Sequence, residues 1–414
     1  MKNILLLGNG FDLYYKLPTK YADFLHIVAF LQDHRQESFK TIGDVFSQPK
    51  LQEADKSIEI CYEAYHQTYD STPLDQGAIA EIISLTENNL WFSYLKKVFD
   101  KDAGWIDFEK EIGYALKCFE KTFEKEMIFQ FQPNENHIRY VVSLFGFFIK
   151  RMAANRITGP GMYTVSSDYL IEKPIGSDVY EINTEKVVDK LYQELSIFAK
   201  ALRIYLKCFV ESTYDLLKQE KTFNRIECFS YMSRAITFNY THTYESLYFN
   251  NIVFHIHGNT NDEIVLGVNP DKADDLASID TTFVCFKKYY QRTFFETDKD
   301  YLAWMSESVD AQMPYRLFTM GHSLDITDKD IILELFENAK EIKILYHNAE
   351  AKSSYIANII NIFGKSGFDM LKKEKKLTFV SLDNDLAAIQ ASLSQESWQD
   401  LAQEFCDDGD MVVV

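Results

Sequence analysis

The sequence predicts an α/β fold: a parallel sheet assembled from both ends of the chain, with a large all-helical insertion between them. Three observations carry this reading. A short β-type run, Asn3–Leu7, opens the chain, and about 220 residues follow in which apolar positions recur every three and four, the helical period. From Arg234 onward, short apolar runs rich in β-branched and aromatic residues alternate with polar turns, as in strands buried on both faces. The helical region offers the first strand no sheet, so its partners must be the later strands. The result is a discontinuous α/β domain, residues 1–30 with 230–414, and a helical insertion, residues 31–229.

The elements follow in order. Helices are predicted over Thr19–Gln32, Lys56–Tyr69, Gln76–Phe99, Asp107–Lys125, Ile138–Met152 and Glu185–Leu217, with a looped segment rich in Gly, Pro and Ser at Thr158–Asp178. The strands are Asn3–Leu7, then AITFNY, VFHIHG, EIVLGV, RLFTMG, EIKILYH and LTFVSL, with a helix over Ala349–Phe363 before the last.

Composition sets limits on function. A net charge of −19 argues against broad binding to nucleic acid or to an anionic membrane, because both need a basic surface. The six cysteines are scattered without a C-x-x-C pair, so no zinc or redox framework is visible and they read as reduced thiols. The longest apolar stretch, Tyr140–Ile149, is half of the roughly 20 residues a membrane helix needs. The apolar run after Lys2 stops at Gly8, too short for a secretory signal. A soluble, cytoplasmic protein is expected.

In an open parallel sheet, ligands bind at the carboxyl ends of the strands. Four of the predicted strands end in chemically capable residues. The first ends GNGFD, with Gly8, Asn9, Gly10 and Asp12. Paired glycines let backbone approach a ligand, and a following helix could hold a phosphate. Leu13 stands where a dinucleotide fingerprint wants its third glycine, so a plain turn is the competing reading.

A second strand end carries Asn239, which reads either as a turn-closing residue or as an amide that orients a water or a ribose hydroxyl. A third carries His255 and His257, which are two apart and so point to the same face of the strand, and could join His242 or His322 around a metal. No helical H-x-x-x-H pair and no convincing carboxylate ligand accompany them, so no metal is expected. His255 reads as a buried, hydrogen-bonded side chain, and His257, the last residue before Gly258, as a catalytic base. The fourth end carries Gly321, His322, Ser323 and Leu324, suited to a ribose or phosphate, with Thr327 expected to cap the next helix. In the insertion, Asp107 and Glu109 of WIDFE either favour a helix dipole or offer Glu109 to the sheet edge.

The ordered set GNGFDL, LPTKYADFL, WIDFE, FNYTHTYE, HIHG and GHSLDITD resembles the bacterial phage abortive-infection AbiH family. The same blocks resemble, more distantly, the sirtuin-like NAD-binding fold. That resemblance implies a Rossmann-like, sirtuin-like nucleotide domain with Gly8 and Gly10 by a pyrophosphate, Asn239 on water and ribose, His257 as catalytic histidine, and Gly321, Ser323 and Leu324 on the ribose side. Asn9, Asp12 and His322 lie in the same loops and complete the implied nucleotide-binding set.

The chain departs from the sirtuin pattern in places. Asn9 and Phe11–Asp12 replace small residues, and no four-cysteine zinc module is present, which argues against protein deacetylation. What the resemblance implies is an antiphage hydrolase that takes NAD as substrate and yields nicotinamide and ADP-ribose, with Asn239 and His257 catalytic; Glu109, a candidate by its own position, would stabilise the cationic centre. A nucleotide-sensing, protein-binding module and a nuclease are the alternatives. The implied partners are a nucleotide and a phage-derived trigger, and a homo-oligomer is left open.

Overall fold

In the computed structural model of the chain, the described residues are 1–100, 106–124, 136–150, 163–171, 181–248, 252–268, 281–307 and 314–407. Six strands form one parallel sheet: β1 Lys2–Leu7, β2 Arg234–Thr237, β3 Ile252–His255, β4 Tyr315–Met320, β5 Ala339–Tyr346 and β6 Leu377–Ser381. Their order is β6-β5-β4-β1-β2-β3. The first strand therefore lies at the centre, pairing Leu5 with Ala235 on one side and Phe318 on the other. The expectation of a parallel α/β sheet that joins the two ends of the chain is met.

The apolar runs are continuous because both faces of the sheet are covered. Side chains alternate along a strand. Ile4 and Leu6 join Ile236, Leu317, Ile342 and Ile344 in one core, beneath helices Lys329–Asn338 and Ala349–Lys373. Leu5 and Leu7 join Ala235, Phe318, Met320 and Leu345 in the other, which is continuous with the apolar faces of the helices between β1 and β2. Each of these fully buried β1 side chains contributes on the order of 1.5–3 kcal/mol.

Several predicted elements differ in detail. Glu263–Val268 is not a ladder strand. Its buried backbone is satisfied elsewhere: Leu266 N–H donates to Gln291 Oε1 (2.9 Å) and Val265 N–H to the His257 carbonyl (2.8 Å). Gln76–Phe99 is two helices, Gln76–Thr86 and Leu90–Phe99, because Asn89 caps the second through Phe92 N–H. The helix expected over Ile138–Met152 ends at Leu144. Gly146 then takes φ +69°, and Phe148–Lys150 pairs with Tyr163–Val165 in a short antiparallel ladder. A second such pair joins Leu170–Ile171 to Glu181–Ile182, so the insertion is not all helical.

The helix predicted over Glu185–Leu217 runs Thr184–Phe209 and breaks at Val210. The helix after β5 runs on to Lys373, past a bend at Gly364, where φ is +70°. Met152, Trp105 and most of Thr158–Asp178 lie outside the described residues. Thr327 does not cap the next helix: it lies in a 3-10 turn, Ile326–Asp328, capped by Asp325, whose Oδ1 accepts the Thr327 N–H, and the helix Lys329–Asn338 follows with Asp328 at its N-cap and no side-chain bond there. Among the described residues, no helix is long and apolar enough to cross a membrane.

Candidate functional site

The strand order runs outward from β1 through β2 to β3 in one direction and from β4 through β5 to β6 in the other. β1 and β4 are neighbours, so the order reverses at this junction, the place at which open α/β sheets bind ligands. The glycines fit the junction to itself. A Cβ on Gly10 would lie 2.6 Å from Gly321 Cα, and one on Gly321, at φ +72°, would lie 2.2 Å from Phe11 N. Gly8 N–H donates to the Met320 carbonyl (3.2 Å) and Gly10 N–H to the Gly321 carbonyl (2.9 Å). The two glycines of G-N-G thus serve a close contact between two loops, and their amides are already bonded. Asn9 is tied down as well, with its Oδ1 accepting from Thr19 Oγ1 at 2.7 Å.

Below this contact lies a cavity of about 620 Å³, within the range of small-molecule sites. It gathers most of the predicted residues: Gly8, Asn9 and Asp12 from the β1 loop, Asn239 from β2, His257 from β3, Gly321, His322 and Ser323 from β4, and Glu109 from the helical layer. Gly10 and Leu324 are not part of its lining. Leu324 is fully buried in the core at φ +54°. His255 also lies elsewhere: β3 ends at His255, and the two histidines diverge.

Three polar atoms in this wall are buried without a hydrogen-bond partner: Asn239 Oδ1, Asp12 Oδ1 and His257 Nε2. Buried polar atoms are nearly always paired, so these three offer hydrogen-bonding capacity to a water or a ligand in the cavity. The Asn239 backbone is fixed around its idle side chain. Its N–H donates to Thr237 Oγ1 (3.0 Å) and its carbonyl accepts from His255 Nδ1 (3.0 Å).

A charged cluster closes the floor. Lys288 Nζ, almost wholly buried, sits 2.7 Å from Glu109 Oε2 and 2.9 Å from Asp328 Oδ1. Asp328 in turn faces His257 Nε2 at 3.3 Å and His322 Nε2 at 3.6 Å. The first approach is close but not aligned as a hydrogen bond. His322 Nδ1 accepts the Leu324 N–H (2.9 Å), which directs its Nε2 toward Asp328.

Burial raises Glu109 to about 7 in spite of Lys288. Burial would raise Asp328 too, but the Lys288 ammonium and His257 hold it well below the usual range. Burial lowers His257 to about 4, and the nearby Lys288 charge adds to this. At neutral pH the floor is therefore an ionised Asp328, a charged Lys288, a neutral His257 and a Glu109 near its titration point.

Lys288 and Asp328 are absent from the sequence reading. A signal existed for the first: Lys288, Gln291 and Arg292 are polar residues at helical spacing on one face, and all three are buried.

Asp12 carries a separate cost. Its Oδ2 accepts from Thr241 Oγ1 (2.6 Å), yet burial raises its pKa to about 6 from 3.8. A carboxyl raised on folding favours the fold below its unfolded pKa and loses that contribution as pH rises through the folded one. Asp12→Asn should therefore stabilise the protein above pH 6 by up to about 3 kcal/mol, the equivalent of two pKa units, with the gain vanishing below pH 4. Urea melts at pH 8 and pH 4 check this; an equal effect at both would rule out the buried charge as the cause.

Comparison with curated proteins gives no match. The family model described as bacteriophage abortive infection AbiH matches residues 4–347, a span that runs from β1 through β5 and takes in every cavity residue named above. The match supports a role in phage abortive-infection defence, and the chain belongs to the AbiH family.

Proposed function

We propose that the strand-end cavity is a nucleotide site and that the protein defends against phage by hydrolysing NAD to nicotinamide and ADP-ribose. In this reading residues 1–30 with 230–414 form a Rossmann-like, sirtuin-like nucleotide domain and residues 31–229 its insertion. The observation that carries the reading is the wall itself: Asn239, His257 and Glu109, far apart in sequence, line one cavity at the junction where the strand order reverses. Read from its other edge, that order is 3-2-1-4-5-6, the one that dinucleotide-binding sheets use.

The chemistry asks little of the protein beyond placement and charge. Water adds across the nicotinamide–ribose bond. Nicotinamide leaves as a neutral molecule with the bonding pair, the water oxygen bonds to the ribose carbon, and one proton is released. Asn239 Oδ1, free of any protein partner, would accept a hydrogen bond from that water or from a ribose hydroxyl. His257, neutral at physiological pH, would receive the proton. Ionised Glu109 would lower the energy of the cationic ribose centre. Ser323 and His322 border the same space on the β4 side, where a ribose hydroxyl could bond.

The test is made in cells, because an unchecked NADase would kill its host and latency is therefore expected. NAD and nicotinamide are measured before and after phage challenge in strains that carry the wild type or Asn239→Ala. NAD should fall only with the wild type and only on infection. Growth arrest with steady NAD in a protected strain would overturn the reading.

A further inference from the structure

We propose that His242, Glu245 and His255 form a binding site for a divalent cation of the zinc class. Their candidate ligand atoms all lie within 4.8 Å of one another. The site lies beside the cavity, between the loop after β2 and the end of β3, and it does not depend on what the cavity binds.

The orientation of the two rings argues for it more strongly than their proximity does. A metal-binding histidine usually donates its second ring N–H to a carboxylate or a backbone carbonyl, which fixes the tautomer and aims the other nitrogen at the metal. Both rings are held this way. His242 Nδ1 lies 2.8 Å from Glu211 Oε1, and Glu211 is itself fixed by the His242 backbone N–H (2.8 Å) and by Thr260 Oγ1 (2.5 Å). His255 Nδ1 donates to the Asn239 carbonyl at 3.0 Å. With both Nδ1 atoms engaged, each ring presents Nε2 as its ligand atom.

The third donor is Glu245, three residues after His242 in the short helix Thr243–Leu247. Its Oε1 lies 2.5 Å from His255 Nε2, while its Oε2 is buried with no hydrogen-bond partner. An ion pair with His255 alone would account for Oε1 but would leave Oε2 unexplained. His242 Nε2 has only a long contact, 3.5 Å to Asn261 Nδ2. Two imidazoles and one carboxylate make a donor set suited to Zn²⁺ rather than to Mg²⁺ or Ca²⁺. The carboxylate that the sequence seemed to lack is therefore present, brought in by the turn after β2.

Such a cation would clamp the β2 loop to the end of β3. Asn239, Tyr240 and Thr241 of that loop line the cavity, so the metal would act as a positioning element.

The full chain, stripped with a chelator, is dialysed against Zn²⁺ in competition with a chromophoric chelator. One tight Zn²⁺ per chain is expected, with a spectrum at the zinc absorption edge that shows two imidazole nitrogens. Glu245→Gln and His242→Gln should each weaken binding at least tenfold, and Glu211→Gln, which acts through the His242 ring, by about 10–100-fold. Circular dichroism confirms that each variant is folded. His242→Gln keeps the test decisive if Glu245→Gln does not fold. Absence of tight Zn²⁺ binding, or equal binding by wild type and both ligand variants, would overturn the proposal.

Discussion

Asn239→Ala is expected to lose at least about a hundredfold in nicotinamide release, the scale on which one oriented polar group in an active site matters, while keeping the stability of the wild type. The two halves of this expectation rest on different atoms. The activity half rests on Oδ1, which points into the cavity wall with no protein partner. The stability half rests on the backbone. The bonds that hold this loop run through Asn239 N–H to Thr237 Oγ1 and through its carbonyl to His255 Nδ1, and truncation beyond Cβ leaves both in place. Removing an unpaired buried acceptor also removes a desolvation cost of about 1–3 kcal/mol. A small gain in stability is therefore as consistent with the argument as no change. Nicotinamide release is followed in extracts of phage-challenged cells, and thermal melts are taken on the purified chain. A variant with full activity would remove Asn239 from the mechanism. A variant that melts far below the wild type would mean that the side chain holds the fold rather than a ligand.

What made Asn239 legible in the sequence was its place at the end of a strand. Parallel strands buried on both faces announce themselves as unbroken apolar runs, and the residue after each run is a candidate by position alone. Asp12, His257, Ser323 and Asn239 were all found in this way, and they line one cavity. The same logic had no purchase on Lys288. It lies on a helix, Lys288–Phe295, that follows a 3-10 turn, Thr281–Phe286, and its role depends on Glu109 arriving from a helix 179 residues earlier in the chain. Glu109 was readable as a candidate but its partner was not, since no local pattern links them. The misread strand at Glu263–Val268 fails for a related reason. Its apolar residues are buried as expected, but its backbone goes to scattered partners, the Gln291 amide at Leu266 and the His257 carbonyl at Val265, instead of to a neighbouring strand. Periodicity reports burial well, and it says little about what satisfies the backbone. His242 and His255 likewise take their orientation from groups outside their own runs, the Glu211 carboxylate and the Asn239 carbonyl, so the spacing of His255 and His257 could not point to the match with Glu245.

Lys288→Met should destabilise the protein by about 3–5 kcal/mol at neutral pH, the cost of leaving buried charges without their partner. Methionine fills much of the space of the lysine stem, so the loss is electrostatic rather than a cavity effect. The dependence on pH separates the two explanations. In the wild type, Asp328 has its pKa held well below the ordinary value although burial alone would raise it, because Lys288 outweighs that effect. A carboxylate lowered on folding contributes stability above its unfolded pKa and loses it as pH falls through the folded one. Without Lys288 the same burial raises Asp328 instead, and Glu109, already raised to about 7, rises further. Both acids then oppose folding at high pH and cease to do so once protonated. The deficit of the variant should therefore be largest near pH 8 and shrink steadily toward pH 4. Adding Asp328→Asn to Lys288→Met should restore part of the stability at pH 8, because it removes one of the stranded charges. Urea melts of wild type, single and double variants at the two pH values decide the matter. A deficit that is the same at both, and unchanged by the second substitution, would mean that Lys288 acts through packing and that the floor of the cavity is not organised by charge.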